Sequence, residues 1–212
     1  MIVVKRAVLL LLPLLLAVIG TDAAPCTRDC ARLTKMLSTK DLHKILGEWV
    51  LVWSVSDTQQ VSDRLGNLSS SYIKLQLLPD NKTIMYNERY MLLDMLCSKL
   101  DFNISLNFDP SEYHTLHIMS ALAENFIYES CSDCLAVLYR GKMANTSKVG
   151  RFLFIYKREG HHRDVELLKA AHSDHKKLAE CLGFPHDKTF SYDGATGSCH
   201  LKSSPAAQPE HS

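Results

Sequence analysis

Leu100-Asp101-Phe102-Asn103-Ile104-Ser105-Leu106-Asn107-Phe108 alternates apolar and polar residues without a break. Successive side chains of an extended chain leave opposite faces, so this stretch predicts a strand with one dry face and one wet face. Asn103 lies on the wet face and opens the sequon Asn103-Ile104-Ser105. A glycan must sit in water, so the sequon and the periodicity choose the same outward direction. The dry face needs something to cover it, and the sequence on either side supplies it.

Ile73, Leu75 and Leu77 alternate with Tyr72, Lys74 and Gln76, while Trp49, Leu51, Trp53 and Val55 read as one side of an earlier strand. Between Gly47 and Arg158 such runs recur about every 8–12 residues, the spacing of an all-β barrel or sandwich. Eight strands are predicted, near 47–56, 70–78, 83–92, 97–108, 112–119, 124–131, 134–141 and 149–157. Leu78-Pro79-Asp80-Asn81-Lys82 and Asp109-Pro110-Ser111 are turns, with Pro fixing φ and Asp or Asn bonding nearby backbone. They join neighbouring strands, which suits an up-and-down antiparallel barrel. Asp164 can cap one helix running to about Leu182, with Val165, Leu168, Ala171, His175, Leu178 and Leu182 near one stripe and Gly183 and Pro185 as stops. Its apolar stripe belongs against the outside of the barrel. His172 and His175 lie three apart on that helix, a spacing open to a metal, although a half-buried helix face is the commoner use of such a pair.

With 212 residues, 46% hydrophobic composition and a formal charge of +1, the chain suits one domain and lacks the basic footprint of a nucleic-acid binder. Lys5 and Arg6 precede the apolar run Ala7–Ile19, and small residues follow, a secretory signal pattern over 1–20 with cleavage between 20 and 24. One domain over 25–202 and a disordered small, polar tail over 203–212 complete the expected organisation. No later run is long and apolar enough to enter a membrane. Export predicts that Cys26, Cys30, Cys97, Cys131, Cys134, Cys181 and Cys199 form disulfides, with one left over. Cys26-x3-Cys30 and Cys131-x2-Cys134 lack a matching partner knuckle, so no metal or other cofactor is expected. Asn67, Asn81, Asn103 and Asn145 each open a sequon, and glycosylation is expected.

Gly47-Glu48-Trp49, opening the first strand after a short helical turn over 42–46, resembles the Gly-x-Trp signature of the lipocalins, and Lys157-Arg158 ends the last strand as in that family. The placement of Cys30, Cys97, Cys181 and Cys199 is similar to that of the orosomucoid-like lipocalins. Cys131-Ser132-Asp133-Cys134-Leu135, Gly150-Arg151-Phe152-Leu153, Cys181-Leu182-Gly183-Phe184-Pro185 and Tyr192-Asp193-Gly194 look like fish plasma lipocalins of the saxitoxin/tetrodotoxin-binding and tributyltin-binding kinds. The resemblance covers nearly all of the chain after the signal. The single domain looks more like the organotin binders than a tandem toxin binder. The resemblance implies a closed barrel end with a cation over the tryptophan, Cys30 paired with Cys181, and Cys97 with Cys199. Cys131 is left to pair with Cys134 or Cys26.

Eight strands closing on their apolar faces either enclose a small-ligand cavity or fill it with side chains. Alternation turns Leu51, Trp53, Ile73, Leu75, Leu77, Tyr86, Tyr90, Leu100, Phe102, Ile104, Phe152 and Phe154 inward, with Trp49 and Val55 nearest a packed end. Glu88 falls on the same inward phase as Ile84, Tyr86 and Tyr90. A carboxylate there sits at the mouth, paired with Arg89 or solvent, or it receives a cationic ligand between two rings. His117 is a second polar candidate. The expected function is a secreted, monomeric plasma carrier for a small hydrophobic ligand, a cation of the tributyltin or saxitoxin/tetrodotoxin type among the candidates. A lipid or steroid carrier, or an enzyme built on a pocket cysteine, are the alternatives. No Ser-His-Asp order, phosphate loop or His-Glu-x-x-His motif points to catalysis.

Overall fold

Two-residue periodicity fixes this architecture as a ladder. In the computed structural model, which describes residues 27–59, 63, 65–94, 96–106, 115–119, 123–142, 149–185, 188–195 and 199, eight strands of the main ladder follow one another. They are β1 (Gly47–Ser56), β2 (Leu68–Leu77), β3 (Thr83–Leu92), β4 (Cys97–Ser105), β5 (His117–Met119), β6 (Ala123–Tyr128), β7 (Cys134–Lys142) and β8 (Val149–Arg158). Their hydrogen-bonded order is β4-β3-β2-β1-β8-β7-β6-β5, and a short β9 (Thr189–Ser191) adds to β1. Every neighbouring pair is antiparallel, and β1 pairs with both β2 and β8. The meander therefore curls on itself. This is the eight-stranded up-and-down antiparallel arrangement expected; β4 and β5 approach each other at the two ends of the ladder without a hydrogen-bonded pairing among the described residues.

One end is sealed by the N-terminal segment. A helix α1 (Thr27–Leu33) and a 3-10 turn (Thr39–Ile45) flank residues 36–38, which bridge to Tyr128 and Thr115. Leu37 N–H donates to Ile127 O at 2.8 Å, and Leu37 O accepts from Leu116 N–H. Below them Trp49 is fully buried, and its Nε1 donates to Ile45 O at 2.8 Å. The Arg158 guanidinium lies 4.2 Å over the Trp49 ring and donates to Leu46 O and Lys44 O, so the last strand locks the first. Gly47 has φ +115, and a Cβ there would stand 2.7 Å from Arg158 Nη1. Only glycine admits that arginine, which gives the Gly-x-Trp pattern its physical reason.

Outside the sheet, Asp164 caps helix α2 (Val165–Cys181) by accepting from Leu167 N–H at 3.1 Å. Leu168, Leu178 and Ala179 are its buried residues. Cys30–Cys181 ties α1 to α2, Cys97–Cys199 ties the start of β4 to the C-terminal segment, and Cys131–Cys134 closes the turn before β7. The pairings implied by the resemblance thus form, and Cys131 takes Cys134 of its two candidates. Cys26, Asn145, residues 1–20 and residues 203–212 lie outside the described residues.

One strand departs from its expected phase. The register of β1 against β8 slips between Leu51 and Trp53, so Leu51 faces with Tyr156 whereas Trp53 and Val55 face with Ile155 and Leu153. Directly paired residues share a face, and a bulge exchanges the faces beyond it. Trp53 and Val55, expected inside, therefore turn outward beneath α2. Trp53 packs at 5.8 Å from His175 and 6.2 Å from His172, while Ser54 and Ser56 take the inner positions.

Candidate functional site

The inner face grades from packed to accessible along the strands. Trp49, Ile73, Leu75, Ile84, Ile104, Ile127 and Leu135 fill the sealed end and are all buried. Farther along, on the same phase, Tyr86, Glu88, Tyr90, Val137, Tyr139, Phe152 and Phe154 are only half-buried, and Leu100 and Phe102 remain 48% and 42% exposed. On β8 the outward neighbours Leu153 and Ile155 are at 0% and 2%, so the accessible side of that strand is its inner one. A solid core would give the reverse. Filled below and unfilled above is the geometry of a cup.

Rings line its wall. Phe152 and Phe154 stack at 5.5 Å and 19°, Tyr139 meets Phe152 edge-on at 5.4 Å, and Tyr86 stacks on Phe102 at 4.6 Å. Leu77 pairs with Ile84 and is half-buried at the turn end of β2.

Glu88 is the one carboxylate in this wall among the described residues. β3 brings it opposite Ile73 on one side and Leu100 on the other, both apolar. Its Oε1 accepts from Ser71 Oγ at 2.8 Å and its Oε2 from the Tyr86 hydroxyl at 3.1 Å. The Tyr156 hydroxyl joins the cluster through Tyr86. Arg89, the mouth partner considered for Glu88, turns outward and holds Asp101 at 2.6 Å instead. Burial pushes the Glu88 carboxyl above its ordinary range against the opposing pull of its two donors. Burial, then the nearby Glu88 charge, pushes both Tyr86 and Tyr156 well up, so both hydroxyls keep their protons. Among the described residues two hydroxyls donate to Glu88 and no cation pairs with it, which leaves the anion only partly compensated.

Ser71, Tyr156, Val137 and Tyr139 share the inner face with the expected residues. Ser71 lies in phase with Ile73, and Tyr156 with Phe152 and Phe154, so extending each alternation by one step finds both. β7 is apolar on both faces, and its phase has no such signal. Ser54 Oγ is buried on the inner side without a hydrogen-bond partner, visible only once the bulge is known. For His117 the structure gives a backbone pairing with Phe126, and its side chain lies outside what is described. Cys97, at the start of β4, is bonded to Cys199 and offers no free thiol to an enzyme built on a pocket cysteine.

A curled antiparallel meander, a helix packed outside and an arginine-covered tryptophan at the sealed end define the lipocalin fold, and this chain has it. Among solved structures it is similar to the siderocalin Ex-FABP, with TM-score 0.56 and 13% identity, covering 70% of this chain and 93% of that one. A second siderocalin gives 0.57 and 13%, covering 73% and 92%, and a dog lipocalin allergen gives 0.50 and 14%, covering 69% and 92%. In sequence the chain is similar to saxitoxin and tetrodotoxin-binding proteins 1 and 2 of Takifugu pardalis, 38% identical to each over 203 residues and 90% of its own length. It spans about half of those relatives, 49% of each. No family model matches.

Proposed function

We propose that this chain is a secreted, glycosylated plasma carrier that takes a small cationic ligand, apolar as in tributyltin or a guanidinium compound of the saxitoxin/tetrodotoxin type, into the cup and releases it unchanged. The observation that carries the reading is Glu88, an inward carboxylate held by Ser71 and Tyr86 with no cation facing it among the described residues. Apolar walls contribute about 25 cal/mol per Å² of ligand surface they cover, without regard to charge. Glu88 adds the discrimination, since a bound cation supplies the countercharge that its surroundings lack. Tyr86 and Phe102, stacked beside it, present ring faces to the same cation.

Support comes from the names of the two relatives, and from Asn67, Asn81 and Asn103, all exposed as a glycan requires. The three disulfides agree with an oxidising compartment. A second reading, a neutral lipid or steroid carrier, is favoured by the stacked Phe152 and Phe154, which offer a flat wall without charge.

Calorimetric titration separates the two. Saxitoxin and tributyltin are compared with a neutral steroid, each against the wild type and Glu88→Gln. Loss of a charge-assisted contact is worth about 1.5–3 kcal/mol, so the cations weaken roughly tenfold or more while the steroid is unmoved. Equal loss for all three, or no binding of either cation, rejects the counter-ion role.

A further inference from the structure

Far from the cup, the turn between β6 and β7 places a disulfide, an ammonium, a carboxylate and an imidazole together. Cys131 is exposed and bonded to Cys134 across a sequence separation of 3. Lys157, whose position on β8 pairs with Cys134, sets its Nζ 3.5 Å from Cys131 Sγ. Asp133 holds that ammonium from both carboxylate oxygens at 3.2 Å, and His161 Nδ1 lies 3.1 Å from Asp133 Oδ2. The carrier function uses none of these groups.

We propose that Cys131–Cys134 is a thiol–disulfide exchange site that reacts with low-molecular-weight thiols while the protein stays folded. Cys131 is exposed, as Cys97 is in its own bridge, and so admits an attacking thiolate. Two further features single Cys131–Cys134 out from the other bridges. The Lys157 ammonium stands beside Cys131 Sγ and also holds the Asp133 carboxylate, whose Oδ1 lies 2.8 Å from that sulfur, so the cation offsets the nearby charge, draws the incoming anion and stabilises the thiolate that reduction leaves there. The second feature is loop size. Cys30–Cys181 and Cys97–Cys199 close separations of 151 and 102, so opening either releases a large chain entropy, whereas a separation of 3 constrains almost nothing. The short bridge therefore opens without loosening the sheet, whose ladder from Cys134 to Lys142 is carried by β8.

The exchange balances as two transfers. An incoming thiolate attacks Cys131 Sγ, the S–S bond breaks, and its electron pair departs on Cys134 Sγ, which takes the proton the incoming thiol lost. A second thiolate attacks the small-molecule sulfur of the mixed disulfide and releases Cys131 as a thiolate beside Lys157. Two thiols are oxidised to their disulfide, and the protein pair gains two electrons. Asp133 positions Lys157 over the sulfur, and its negative charge is offset by that ammonium.

The test uses reduced glutathione on the folded, full-length protein, with isotope-coded alkylation and peptide mass mapping over time, and circular dichroism followed in parallel. Cys131 and Cys134 become labelled at least about tenfold faster than the four other bridged cysteines, with unchanged secondary structure, as expected for an exposed disulfide against constrained ones. Lys157→Met slows the labelling severalfold and Lys157→Arg restores it. Labelling of all six together, labelling only after the spectrum collapses, or a Lys157→Met rate equal to wild type overturns the proposal.

Discussion

Glu88, the proposed counter-ion, costs the folded protein stability once it ionises, because burial disfavours its charge. Its carboxyl is pushed up by burial, so the folded chain keeps that proton to higher pH than the unfolded chain, whose carboxyl ionises near 4.5. A raised acid contributes fully below the unfolded value and loses that contribution as pH climbs through the folded one. Glu88→Gln is therefore expected to gain on the order of 1 kcal/mol over wild type in urea unfolding at pH 7, and little at pH 4. A variant less stable at both values would mean that the carboxylate is adequately solvated. Phase alone placed this residue on the inner face, because Ile84, Tyr86 and Tyr90 alternate cleanly around it. Trp53 could not be placed that way. Leu51-Val52-Trp53 is apolar throughout, so a one-residue slip leaves no mark on the hydrophobic pattern. Its consequence is a tryptophan that reports on α2 rather than on the cup.

Helix α2 rests on that tryptophan through His175. Burial, then the charge of His172, holds the His175 imidazole down to about 4, and neither His175 Nδ1 nor Trp53 Nε1 has a hydrogen-bond partner among the described residues. The unfolded chain takes up a proton near 6.5 that the folded chain refuses until about 4. Stability is then full above 6.5 and declines as pH falls through that window, by at most roughly 3 kcal/mol at about 1.4 kcal/mol per unit. Urea midpoints taken from pH 7 to 4.5 should fall in the wild type and fall less in His175→Gln; parallel curves would remove His175 from the account. The same helix is stapled to α1 by Cys30–Cys181. Replacing both cysteines by alanine should cost roughly 3–5 kcal/mol, as a loop of that length implies, and a loss below 1 kcal/mol would mean the unfolded chain is already held together there. The helix itself was legible in sequence, from its Asp164 cap to its Gly183 stop. β9 was not, since three residues carry no measurable period and their pairing with β1 is a long-range event.

At the scale of the molecule, strand number and meander order follow from alternation and turns, and the sealed end from the lipocalin resemblance that Gly47-Glu48-Trp49 and Lys157-Arg158 carry. The lack of a hydrogen-bonded pairing between β4 and β5 among the described residues does not, because hydrogen-bonded closure depends on curvature, and curvature has no residue code comparable to the two-residue period. Arg158→Ala should lower the midpoint of thermal unfolding by the loss of the Trp49 contact, about 1–2 kcal/mol, without touching ligand affinity. An equal fall in affinity would show that the sealed end and the cup are one structure. A carrier requires the inner face beyond Ile73 and Ile84 to enclose vacant space. Titration with the neutral fluorophore N-phenylnaphthylamine probes that space, comparing the wild type with Val137→Trp, which puts a large ring into it. One saturable site with enhanced, blue-shifted emission, weakened about tenfold or more by the substitution, is the predicted result. No saturable uptake by the wild type, or uptake indifferent to Val137→Trp in a folded variant, would contradict it.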